Sequence, residues 1–268
     1  MNAVFRTANW LLPLLYLVVL IDYGATFFLR TRTHKRNHLL IVLLIAHTAC
    51  LIGWGINIGR LPLNNAYEVL GVVALSMAAV YFVLETAVRD RRAGVFAFLL
   101  IFLFQYTSSV FWAAGAGEMT SAFARLHVVP AVIAYTAFAI SAIYGTLYIL
   151  AHRNLKNRRV GMLFDRLPPL ELLGRMSWHT LLAGFLFITA SLVTGALLAN
   201  GAEPGHVGQI VDSRMVAKII TGCAAWLIYA VAVLGRAVGG WSGARVSGIG
   251  LVGFATVLIQ IIAGAVLS

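Results

Sequence analysis

The stretch LLIVLLIAHTACLIGWGINI, Leu39–Ile58, runs for twenty residues without one Asp, Glu, Lys or Arg. A helix needs roughly 20 apolar residues to cross a hydrocarbon layer about 30 Å thick, so this segment alone places the chain in a membrane. Comparable stretches fill most of the 268 residues, and hydrophobic residues make up 61% of the total. Lipid cannot hydrogen-bond an open backbone, so spans this apolar are helical. The alternating apolar and polar segments of a β-barrel are missing. The predicted fold class is an all-α integral membrane protein, a polytopic bundle of about eight transmembrane helices. The expected spans are approximately Trp10–Leu29, Leu39–Ile58, Tyr67–Val88, Val95–Trp112, His127–Ala151, Trp178–Asn200, Val216–Arg236 and Val246–Leu267. Short connections predict one transmembrane domain over residues 1–268. The first apolar run is too long for a signal peptide and lacks a small-residue cleavage site before Arg30, so it reads as a retained span.

A formal net charge of +11 would suggest nucleic acid in a soluble protein. Here its distribution supplies another reason. Arg30, Arg32, Lys35 and Arg36 fall in one loop, and Arg89, Arg91 and Arg92 in the next but one. Arg153, Lys156, Arg158, Arg159, Arg166 and Arg175 follow, then Arg236 and Arg245. The opposite side holds only Arg6, Arg60, Arg125, Arg214 and Lys218. The positive-inside rule therefore predicts both termini outside, periplasmic in a Gram-negative inner membrane, with the bilayer as partner and no nucleic acid.

Cys50 and Cys223 lie inside spans without a CxxC motif and read as small core residues. No nucleotide-binding glycine pattern or soluble domain is present, which removes ATP-driven transport and most dehydrogenase chemistry from this chain. Asn65 followed by Glu68 has capping-box spacing at the start of the third span. Gly184, Ser191 and Gly195 on the sixth span, and Gly248 and Gly264 on the eighth, would let helix backbones approach closely.

Ionisable groups in hydrocarbon are costly unless they pair or bind something. Asp22 and Glu85 lie toward the basic ends of their spans and read as solvated carboxylates or partners of loop arginines. His47 sits inside Leu39–Trp54, with no charge nearby in sequence and no route to snorkel. It reads either as a neutral imidazole hydrogen-bonded to a neighbouring helix or as a metal or heme ligand. His127 opens the fifth span, where the same two readings apply, and His179 starts the sixth near the basic side, where an interfacial role is expected. His34, His38 and His152 read as surface groups, and His206 as an accessible loop residue. Two histidines without a cysteine or carboxylate cluster suit iron porphyrin better than zinc, which takes three or four protein ligands. The resulting candidates are His47 and His127 as metal-binding axial ligands of a non-covalent b-type heme, with His179 in reserve. Arg60 and Arg125 are candidates for its propionates, because guanidinium forks match carboxylates. Counting from Gly59 at roughly 1.5 Å per residue sets His47 about 18 Å below the end of its span. The two histidines need not meet one iron unless the fifth helix starts upstream, around Ser121, or either span is tilted. Trp10, Trp226 and Trp241 read as interfacial anchors.

Several ordered segments, spanning about Leu15 to Ile262, carry a resemblance. They are Ile21-Asp22-Tyr23, Leu61-Pro62-Leu63-Asn64-Asn65-Ala66-Tyr67-Glu68, Leu126-His127-Val128-Val129 with Ala134-Tyr135, and Leu167-Pro168-Pro169-Leu170-Glu171. Gly184-Phe185, Thr194-Gly195, Trp226-Leu227-Ile228-Tyr229-Ala230, Gly240-Trp241-Ser242-Gly243 and Gly253-Phe254 continue the series. In this order they resemble the cytochrome c assembly family of membrane proteins, which contains CcsA-type heme handlers and the HemX-like and YpjD-like proteins. The resemblance implies that His127 corresponds to a heme ligand of the CcsA-type members, and that the His47 position is often histidine in the YpjD-like branch. The chain departs from the CcsA type in its Gly205–Arg214 loop, which has no tryptophan, in Arg60 where a histidine stands, and in lacking a terminal histidine. The match is closer to the HemX-like and YpjD-like branch.

The function expected from these readings is an inner-membrane heme-binding protein related to cytochrome c biogenesis, acting by binding rather than catalysis. A separate membrane or periplasmic assembly protein is its expected partner. The alternative is a structural or electron-transferring subunit of a respiratory-type complex. A secondary transporter ranks last, because the paired broken-helix pattern of inverted repeats is missing. A reporter enzyme that matures only outside the cytoplasm is expected to be active when fused after Ser268 and inactive when fused after Arg92. The reverse activity pattern would invert the assigned orientation.

Overall fold

The computed structural model describes residues 3–29, 38–63, 65–88, 90–111, 122–158, 166–199 and 213–266. Among the described residues the regular elements are eight helices: α1 Ala3–Leu29, α2 His38–Ile58, α3 Ala66–Val88, α4 Gly94–Val110, α5 Ala122–Lys156, α6 Leu170–Ala199, α7 Ser213–Ala237 and α8 Gly243–Val266. Seven are long and apolar enough to cross a membrane. The shorter α4 has 17 residues, about 25 Å at 1.5 Å per residue, the lower end of the crossing range. Three helices start five or more residues before the hydropathy reading: α1 at Ala3 rather than Trp10, α5 at Ala122 rather than His127, and α6 at Leu170 rather than Trp178. Arg6 near the start of α1, Arg125 in α5, and Glu171 and Arg175 in α6 depress hydropathy there without stopping a helix.

Helix ends follow local chemistry. Gly59 adopts a left-handed φ of 67° after α2. Its N–H reaches Ile56 O, and the Arg60 N–H reaches Gly55 O at 3.1 Å. That is a Schellman cap, and it satisfies carbonyls left over at the end of the helix. At the start of α3 the Glu68 N–H donates to Asn65 Oδ1 at 2.8 Å, as the capping-box spacing predicts.

Packing sorts the chain into two units, Met1–Glu118 with Arg158–Pro169, and Met119–Asn157 with Leu170–Ser268. In the first, α4 lies against α1 and α3, and α2 also packs on both α1 and α3. Tyr23 stacks on Phe98 with centroids 4.8 Å apart, and Tyr81 meets both rings edge-on. A Cβ on Gly94 would fall 2.2 Å from the Tyr23 ring, so only glycine admits this approach. The Tyr23 hydroxyl donates to the Glu85 carboxylate. Arg91, in the α3–α4 turn, pairs with Glu85 at 3.0 Å, with Asp22 at 3.0 Å, and lies over the Tyr23 ring. Both carboxylates therefore partner a loop arginine, one of the two readings their position allowed. Burial works against the Arg91 charge, yet Glu85 and the Tyr23 hydroxyl hold its guanidinium above the ordinary value. Arg166 donates to Phe27 O and Phe28 O and so caps the last turn of α1.

In the second unit α6 runs along α5, and α8 packs against both α5 and α7. Phe138 and Tyr229 stack with centroids 3.6 Å apart and planes 2° from parallel. Gly184 and Gly253 make room for these rings, since a Cβ would come within 2.5 Å of Phe138 or 2.8 Å of Tyr229. Ser141, Ser177 and Ser247 are buried and bonded to one another or to main chain across α5, α6 and α8. Trp226 donates to Thr189 Oγ1 at 2.9 Å and packs on Phe185. It is partly buried against the aromatic core of this unit.

Replacing Arg91 with Ala leaves Asp22, Glu85 and Tyr23 without their shared partner. Because the cluster is only partly buried, the expected loss is about 1–3 kcal/mol, read as a lower thermal midpoint in detergent.

Candidate functional site

The second unit frames His127. Because α5 begins five residues earlier, His127 lies in the second turn, where α6 meets it. Its Nδ1 sits 2.8 Å from Ser191 O, and Ser191 Oγ donates to His127 O at 3.0 Å. A carbonyl only accepts, so Nδ1 carries the ring proton and, in the neutral imidazole, Nε2 holds the lone pair. Nε2 has no partner among the described residues. Gly195 closes the other side, where a Cβ would come within 2.8 Å of Nδ1 and 3.0 Å of Cε1. Pro130, three residues after His127, has no N–H and leaves Leu126 O without its helical donor. Thr194 Oγ1 comes within 3.3 Å of that carbonyl. The paired motifs Leu126-His127 and Thr194-Gly195 thus form one contact between α5 and α6. Of the small residues expected to admit close approach, Gly184, Ser191 and Gly195 do so. Gly248 faces open space, and Gly264 lies outside the described side chains.

His47 belongs to the first unit. It is 3% exposed, and its Nδ1 lies 2.8 Å from the Tyr16 hydroxyl on α1. The two rings meet edge-on. This is the neighbouring-helix hydrogen bond that one of the two sequence readings required. His47 also lines a cavity of about 70 Å³, shared with Asn9, Trp54, Glu68, Gln105 and Ser108. At the end of that cavity, near the α2–α3 turn, Arg60 forks onto Glu68 with Nη1–Oε2 and Nη2–Oε1 distances of 2.9 and 3.0 Å. Its two terminal nitrogens therefore already hold a carboxylate inside the protein. Tyr16 and Gln105 escaped the sequence reading, because an isolated polar residue in an apolar span says nothing of what it meets.

The other candidates separate from these two. His179 is exposed on α6. It lies twelve residues before Ser191, roughly 18 Å along the helix axis from the contact with His127, so any site using it is a separate one. The Arg125 side chain and His206 lie outside the described residues. Among the described residues no group of three or more His, Cys, Asp or Glu is placed to hold a metal ion. The structure offers single imidazoles, the donor set of an axial ligand rather than of a zinc site.

Comparison with known proteins finds the family that the sequence resembles. Residues 63–265 match the family model described as Cytochrome C assembly protein. Protein HemX of Brevibacillus brevis is 27% identical over 164 residues, which cover 59% of this chain and 60% of that protein's length. Cytochrome c biogenesis protein CcsA of Heterosigma akashiwo is 25% identical over 236 residues, 74% of this chain and 71% of its own. Inner membrane protein YpjD of Escherichia coli is 24% identical over 121 residues, 45% of this chain and 43% of its own. No solved structure matches.

Gly195→Ala forces its new methyl into the imidazole and is expected to destabilise by about 1–3 kcal/mol. Gly248→Ala, where the space is open, is expected to stabilise by up to about 1 kcal/mol through helix propensity. Thermal melts of the two variants side by side test the assignment of close approach.

Proposed function

The chain belongs to the cytochrome c assembly protein family, and on that premise we propose that it handles heme, holding or passing it on the side of the membrane where His127 lies. It is a multi-pass membrane protein related to cytochrome c biogenesis. The observation that carries the heme reading is the hydrogen bond from His127 Nδ1 to Ser191 O. An imidazole that gives its N–H to a carbonyl presents the opposite nitrogen in a fixed direction, the arrangement that ligand histidines require. Heme, when bound, supplies iron with an axial position that accepts an imidazole nitrogen. The chain's own part is to hold His127 as the Nε2 lone-pair tautomer, through Ser191 O, and to restrict the ring against Gly195. Without a CxxC motif, binding is non-covalent and b-type.

The other residues take different parts in this proposal. The cavity beside His47 is about 70 Å³, whereas an engineered cavity that takes up a single benzene ring measures about 150 Å³. The space is too small to enclose a macrocycle of four pyrroles, so this proposal gives His47 no part in iron coordination. Arg60 is held by Glu68 and is also left out. Both termini lie outside, and a separate membrane or periplasmic protein of cytochrome assembly delivers or accepts the heme.

Absorption spectra of protein purified in detergent from heme-replete cells test this. A Soret band is expected for the parent chain and for His47→Ala, and its loss in His127→Ala. A colourless parent protein would overturn the heme reading. Loss of the band in His47→Ala with retention in His127→Ala would overturn the ligand assignment.

A further inference from the structure

Gln105 is 2% exposed on α4. Its Nε2 donates to Ser109 Oγ at 3.1 Å, but its Oε1 is buried and has no hydrogen-bond partner among the described residues. This acceptor belongs to a side chain that lines the cavity containing His47, Asn9, Trp54, Glu68 and Ser108. An unpaired carbonyl oxygen in a membrane interior is costly unless something donates to it. His47 lines the same space, and with its Nδ1 taken by Tyr16 its Nε2 is the nitrogen still to be satisfied. Two buried polar groups lining one small cavity define what the space accepts. The occupant must donate a hydrogen bond, must be neutral because Glu68 is already neutralised by Arg60, and must be small.

We propose that this cavity is a water-binding site, in which a few resident waters satisfy Gln105 Oε1 and solvate His47 from the side opposite Tyr16. A water needs about 10–15 Å³ of such space, so about 70 Å³ has room for roughly five. Apolar walls from Leu12 and Leu51 complete the lining. Gly71 keeps the space open, because a Cβ there would fall 2.9 Å from Ser108 Oγ. The site accounts for a histidine held in hydrocarbon without iron. Tyr16 engages one nitrogen and water the other. It stands independently of the heme reading, which rests on the second unit.

Radiolytic footprinting tests it, because hydroxyl radicals formed from a bound water oxidise the side chains beside it even where bulk solvent does not reach. The detergent-purified full-length protein is irradiated, and oxidation is located by mass spectrometry. His47 is expected to be oxidised about tenfold or more faster than Phe138 and Tyr229, which are fully buried in the dry stack of the second unit. Gln105→Leu removes the acceptor and is expected to lower His47 oxidation toward that background. Tyr16→Phe leaves the cavity lining intact and is expected to leave His47 oxidised. An unchanged elution volume shows that each variant is folded. His47 as inert as Phe138 and Tyr229 in the parent protein would overturn the proposal, as would a Gln105→Leu variant, folded by the same criterion, in which His47 oxidation does not fall.

Discussion

Hydrocarbon supplies no hydrogen-bond partner, and every polar group drawn into these helices must find one inside the protein. That constraint explains most of the specific contacts in the chain. The Tyr16–His47 pair, the Arg91 bridge to Asp22 and Glu85, the Arg60–Glu68 fork and the Ser191–His127 contact all join residues of different helices or of a helix and its adjoining turn. Apolar side chains outnumber these groups, but in lipid they discriminate poorly between a neighbouring helix and acyl tails. Ile45, Ile52 and Ile56 on α2 face outward at more than half exposure, while His47 on the same helix is buried. Polar satisfaction, more than hydrophobicity, sets the inward face of α2.

The same requirement gives the small residues their places. Gly94, Gly184, Gly195 and Gly253 each stand where an aromatic or imidazole ring presses on a helix backbone. At Gly195 the close approach has a chemical consequence, because the ring it admits is the one whose tautomer Ser191 O determines. Pro130 adds a second effect by freeing the Leu126 carbonyl toward α6. The Ser191 carbonyl sets the His127 tautomer, and Gly195 gives the ring its place.

The two histidines that looked equivalent as ionisable groups in apolar spans end in different chemistry. His127 binds a carbonyl, which fixes the position of its proton, and it lies at a half-buried contact between α5 and α6. His47 binds a hydroxyl, which can donate or accept, and it lines a space on the scale of a few waters. The comparisons with HemX, CcsA and YpjD bear on the family and leave this division to the geometry.

Composition and period were enough to assign the all-α membrane class, the approximate spans, the capping box at Asn65 and the short list of polar residues needing explanation. These features are local, since twenty apolar residues form a spanning helix whatever surrounds them. The segments Asp22-Tyr23, Leu126-His127 and Thr194-Gly195 were legible as a family pattern, but not as contacts. Their partners lie 62 to 69 residues away, and helix register over such distances depends on how whole helices pack. Only the tertiary structure could divide the packing into two units, move the start of α5 to Ala122, commit Arg60 to Glu68 and bond Trp226 to Thr189. A sequence states which groups must be satisfied, and the packed helices decide by what.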